Sequence, residues 1–179
     1  MDVAEALAPW SGFFMAAAGA SAVLLGLVFV AMSIHYDTAK FDRHLVAMVT
    51  ESAVPFFYAT LVSLVMLVPP SSPLVPTGGL VVVGFLATVN SGVPLFARHF
   101  GSGDTAGHRE RPMTFLLPWF AAIALMPAAL AILARPMEAL YGIGFLVLAF
   151  IAFGMQNAWD ALLRRDLREA FQPPADDAG

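Results

Sequence analysis

Six polar side chains interrupt otherwise apolar stretches of this chain, and they are the ones whose types could do chemistry: Glu51, Tyr58, Asn90, Gln156, Asn157 and Asp160. In a span through lipid an acid costs on the order of 2.5 to 3.5 kcal/mol at the helix centre, and less near the interface, so it faces protein or water, protonated or paired. If a helix starts near Arg43, Glu51 lies roughly 12 Å inside it, with Pro55 and Tyr58 following on the same face at i+4 and i+7. Asn90, Gln156, Asn157 and Asp160 fall at comparable distances from the matching ends of their own segments. One shared polar layer is expected. It could work as a vestibule or as a proton or ion relay. The plainer reading is an interhelical clamp, at about 0.6 kcal/mol per hydrogen bond. No array of acids and no Lys or Arg lies within these stretches to complete a transport path, which favours the clamp.

Other candidate chemistry fails on pattern. His35, His44, His99 and His108, with Asp37 and Asp42, offer imidazole and carboxylate, but there is no HExxH or comparable helical pair. They read as ordinary histidines at helix ends, and no metal is expected. GSGDTAG, Gly101 to Gly107, has no following Lys and no preceding strand, so it reads as a loop rather than a phosphate cradle. The chain has no cysteine, which removes disulfides, thiolate nucleophiles and Cys-ligated metals together. No GxSxG motif or Ser/His/acid set appears. The expectation is therefore a protein with no catalytic residues, no cofactor and no enzymatic activity. A net charge of -4 without a basic cluster argues against a nucleic-acid partner.

The elements that must hold these groups are long and apolar. Hydrophobic residues make up 59% of the 179, and charged residues only 12%, about half the usual share for a soluble domain. Trp10 to Ile34 runs without a single charge, longer than a buried soluble helix of that character. Cutting the chain at charged and Pro/Gly-rich punctuation gives five segments, 10–34, 44–68, 77–97, 113–134 and 139–163. They are too long and too continuously apolar for the strands of a membrane barrel. The sequence thus predicts an all-α integral membrane protein, a five-transmembrane-helix bundle forming one domain over 1–171, with a disordered tail at 172–179. Eight of the nine Lys and Arg fall on one side of that topology, which places the N-terminus outside and the C-terminus in the cytoplasm. The acidic start MDVAEALAP lacks the positive region of a signal peptide, so the first span is expected to persist.

Small residues at contact spacing, Ala18, Ala22 and Gly26 in the first segment and Gly84, Thr88 and Gly92 in the third, predict faces that pack on protein. That protein is either the same chain or a second copy. Pro55, Pro94, Pro118 and Pro127 fall inside segments, where kinks are expected.

The run AGASAVLLGLVFVAMSI, with a second segment ending SLVMLVPP, resembles an uncharacterised family of small bacterial membrane proteins that share an AGAxxxLxGLxFVAxS first span. NAWD at Asn157 to Asp160 fits the same pattern. The resemblance covers the first seventy or so residues and implies a multi-pass protein of the bacterial cytoplasmic (inner) membrane, with no residue role attached. The expected partners are the lipid bilayer and a second copy or another membrane protein. The reading is a non-enzymatic protein acting through association. The alternative is a small homo-oligomeric pore or transporter lined near Glu51 and Asn90.

Overall fold

Uninterrupted Ala, Leu, Val and Phe leave a backbone with nothing outside itself to bond, and a helix satisfies every N–H and C=O within the segment. The computed structural model describes residues 3–34, 43–100 and 113–171, with side-chain surroundings for 3–33, 52–90 and 120–159. A short helix α1 (Val3–Leu7) and one 3-10 turn (Ala8–Trp10) lead into α2 (Ser11–Ile34). The longer helices α3 (Arg43–Leu67), α4 (Leu74–Phe100), α5 (Met113–Ala131) and α6 (Pro136–Phe171) follow. Local chemistry explains several ends. The Ser11 hydroxyl donates to the Ala8 carbonyl at 2.9 Å, and Ser72 Oγ accepts the Leu74 N–H at 3.3 Å where α4 begins. α6 opens with Pro136 and carries Glu138 in its first turn, both suited to the positive end of a helix. The helices continue through Pro55, Pro94, Pro118 and Pro127.

Helices α3 to α6 close a ring in which each packs on the next and α6 returns to α3. α4 and α6 each run antiparallel to α3, since Val65 meets Gly79 while Tyr58 meets Asn90, and Phe56 meets Gly154 while Tyr58 meets Phe150. α2 lies outside the ring against α3. It reaches α6 near its own start, so α2 and α6 run in the same direction. The core is filled by Phe56, Ala59 and Val62 of α3, Leu80 and Val83 of α4, Ala122 and Leu125 of α5, and Ile143, Val147 and Phe150 of α6. Contact is closest at Gly154, where an added Cβ would sit 2.6 Å from the ring of Phe56. Outside the core, large apolar side chains lie open on all five long helices, for example Phe29, Leu64, Phe85, Phe120 and Phe145.

The five-span expectation is corrected here. The chain is an all-α bundle with five long helices, but among the described residues only two stretches are long and apolar enough to cross a membrane. They are Val3–Ser33, with 31 residues, and Pro136–Trp159, with 24. In α3, α4 and α5 the described apolar stretches are Ser52–Leu67, Leu74–Asn90 and Phe120–Ala131, each 10–17 residues. At 1.5 Å per residue, the described apolar part of each of these three helices falls short of a hydrocarbon core of roughly 30 Å. The segment expected at 44–68 is described as an apolar stretch only from Ser52, so its expected length counted residues that lie outside that stretch. The outside placement of the N-terminus and the cytoplasmic placement of the C-terminus depended on an odd number of crossings and fall with that count. So does the assignment to the bacterial inner membrane as a multi-pass protein, since two stretches do not carry it.

Candidate functional site

The polar residues singled out by type divide between placed and unplaced. Tyr58 faces the interior of the ring, 5% exposed, with its ring centroid 6.4 Å from that of Phe150 on α6 and 5.6 Å from that of Phe57. Its side chain is hydrogen-bonded to that of Asn90 on α4, which is itself exposed. A bond from α3 to α4 is thus in place at the end of the ring where α4 runs on toward Phe100. Gln156 is exposed on α6, and Asn157 is half-buried with a partner of its own. The side chains of Glu51 and Asp160 lie outside the described residues, as do those of the four histidines and the loop 101–107. Among the described residues no group of three or more His, Cys, Asp or Glu could hold a metal ion.

The small residues also separate. Ala18 is buried with Phe14, Ala17 and Ser21 on the one face of α2 that meets the bundle. Ala22 and Gly26 are exposed, and nothing lies within 4 Å of a Cβ added at Gly26. Gly84 meets α5, with Met126, Leu125 and the Ala122 carbonyl around it, while half-buried Thr88 returns its hydroxyl to the Gly84 carbonyl at 2.7 Å. Gly92 lies outside the described side chains.

Hydroxyls carry polar contacts that residue type alone did not flag. Ser21, fully buried, shares a 2.8 Å hydrogen bond with Thr60 Oγ1 and so ties α2 to α3. Each hydroxyl also reaches a carbonyl of its own helix, Ser21 to Ala17 at 2.7 Å and Thr60 to Phe56 at 2.9 Å. Ser63, fully buried, has no partner for its Oγ. Serine and threonine commonly bond back to the i−4 carbonyl, so in an apolar run they look self-satisfied. The available signal was position, because Ser21 continues the Ala17 and Ala18 face.

At the end of the bundle where α2 and α6 begin, Trp10 packs edge-on against Tyr141 at 4.9 Å between centroids, and Phe13 and Phe14 lie beside it. The Trp10 ring lies over Gly144, where an added Cβ would come within 2.9 Å of it. An open groove of about 510 Å³ lies at the start of α6, and its lining includes Val3, Pro73, Ile132, Leu133, Arg135 and Glu138. Its two charged residues are exposed and paired with each other at 3.1 Å.

No family model, curated protein or solved structure matches the chain. What the residues themselves support is an all-helical bundle with, among the described residues, two helices of membrane-crossing length and apolarity.

Proposed function

We propose that the chain is a non-enzymatic, membrane-embedded helical bundle that acts by associating with itself or with another membrane protein. The observation that carries this reading is the surface of α2. Within Val3–Ser33 an 18-residue window reaches a mean hydropathy of 2.3, yet only 22% of that window is buried. A soluble core helix of that hydropathy would be covered nearly all round. Phe14, Ala17, Ala18 and Ser21 fix α2 to the bundle by one face, and the exposed remainder includes Met15, Val23, Leu27 and Val30. Water does not tolerate an apolar surface of that extent, and lipid does.

Association is supported by Gly12, Gly19 and Gly26 on that same open side, seven residues apart, none with an atom within 4 Å of an added Cβ. Unpacked glycine in a helix costs about 1 kcal/mol relative to alanine, and close approach of another helix offsets it. The test has two stages. The full chain should stay with membranes through alkaline carbonate, and its mass in nanodiscs should exceed one copy or include a second membrane protein. A Gly19→Leu/Gly26→Leu variant, which meets no obstacle within the chain, should then fall to one copy alone. Release by carbonate would sink the membrane reading, and a lone wild-type copy would sink the association.

A further inference from the structure

Between Ala139 and Met155, α6 carries no polar side chain except Tyr141, so its packed and open faces differ in what covers them rather than in polarity. Ile143, Val147, Phe150 and Gly154 form the packed face. Tyr141, Phe145, Leu148, Ala152, Met155 and Trp159 form an open stripe. Its five large members are between 52% and 73% exposed. The two aromatic residues with polar tips stand at its ends. Tyr141 and Trp159 are five helical turns apart, which returns them to the same face and separates them by about 27 Å. Tyrosine and tryptophan gather at the two headgroup layers of a bilayer, whose hydrocarbon core is roughly 30 Å thick.

The surroundings fit the same two levels. Outward from Tyr141 come the exposed Glu138 and its partner Arg135, and the Trp10 ring stacked edge-on against Tyr141 puts the start of α2 at that level too. Outward from Trp159 the sequence turns to Asp160, Arg164, Arg165 and Arg168. The exposed Gln156 lies within one turn of Trp159, at headgroup depth.

We infer that the stripe from Tyr141 to Trp159 is the surface of α6 that the bilayer covers, with Trp10 and Tyr141 in one headgroup layer, Trp159 in the other, and a hydrocarbon thickness near 27 Å between them. This rests on the membrane reading above and adds which face meets lipid, at what depth, and in what thickness of membrane. A second copy docked on the same stripe would instead hide Trp159 from lipid.

Single-tryptophan versions of the full chain test it. A Trp10→Phe/Trp119→Phe variant retains Trp159, and a Trp119→Phe/Trp159→Phe variant retains Trp10. Each is reconstituted in phosphatidylcholine vesicles containing lipid brominated either near the headgroup or near the chain terminus. In dioleoyl vesicles both tryptophans should be quenched roughly twofold more by the shallow bromines than by the deep ones, as belt residues are. In thicker dierucoyl vesicles the deep bromines should gain on the shallow ones. Quenching of Trp159 by aqueous acrylamide alone, or protection from acrylamide and both lipids, overturns the proposal. The first result places the face in water and the second under protein. Carbonate washing of the same vesicles keeps the two readings apart, because protein that stays bound while Trp159 fails the depth test leaves the membrane reading standing and removes this one.

Discussion

Tyr58 on α3 and Asn90 on α4 are joined by a hydrogen bond between side chains, yet one partner is enclosed and the other open. The asymmetry sets the cost of breaking the bond from either side. Tyr58→Phe removes the buried hydroxyl together with its need and leaves Asn90 free to bond elsewhere, a loss of about 0.6 kcal/mol. Asn90→Ala strands the phenol at 5% exposure, and an unsatisfied buried group costs about 1 to 3 kcal/mol. Thermal unfolding in detergent should therefore show the asparagine variant as the less stable. The opposite order would mean that the bond does not hold these helices together.

Much of the helix layout was legible in the sequence, because each long apolar segment did become a helix, 10–34 as Ser11–Ile34 and 44–68 as Arg43–Leu67. The number of crossings was not legible, since continuous helix and continuous apolar surface are different properties, and the described residues of three helices have the first without enough of the second. Nor was the register between helices. Depth along each segment suggested a polar layer, but only packing joins Tyr58 to Asn90 and Ser21 to Thr60. Spacing showed Ala18, Ala22 and Gly26 as one stripe, whereas α3 covers only its first residue, because α2 docks by the half of its length nearer Phe14. The α1 helix and the Trp10 contact with Gly144 are tertiary facts with no periodic signature.

Two glycines on α6 should respond to the same substitution with opposite signs. A Cβ at Gly154 would meet three ring atoms of Phe56 at 2.6 to 2.9 Å, and that ring is 1% exposed with nowhere to move. Gly154→Ala is expected to lose about 1 to 3 kcal/mol by overpacking. At Gly142 nothing lies within 4 Å, so Gly142→Ala gains up to about 1 kcal/mol of helix propensity. Melting temperatures should rank Gly142→Ala above wild type and wild type above Gly154→Ala. Equal losses at both positions would refute the close contact between α3 and α6.

The bond between Ser21 and Thr60 invites a double-mutant cycle with Ser21→Ala and Thr60→Val. Each hydroxyl has one proton and each already lies within reach of a carbonyl in its own helix, so the pair has two protons for four contacts. A coupling energy near the membrane average of about 0.6 kcal/mol is expected rather than the larger values near 1.7. A coupling indistinguishable from zero would mean that α2 is held to α3 by the Phe14, Ala17 and Ala18 face alone.

Ser63 gives the prediction with the least expected sign. Its Oγ is fully enclosed on α3 with no hydrogen-bond partner, so the folded chain carries the cost of a desolvated hydroxyl, on the order of 1 to 3 kcal/mol. Ser63→Ala deletes that atom and leaves a gap of only one hydroxyl, too small to cost as much as a lost methylene, about 1 kcal/mol. The variant should therefore unfold at a temperature equal to or above wild type, where most buried substitutions destabilise. Ser63→Val keeps the space filled without the polar atom and separates the two effects, with the valine variant at least as stable as the alanine one. If both variants melt well below wild type, the Ser63 hydroxyl has a partner in the folded protein, and the interior between α3 and its neighbours holds a bound water or a bond that this packing does not contain.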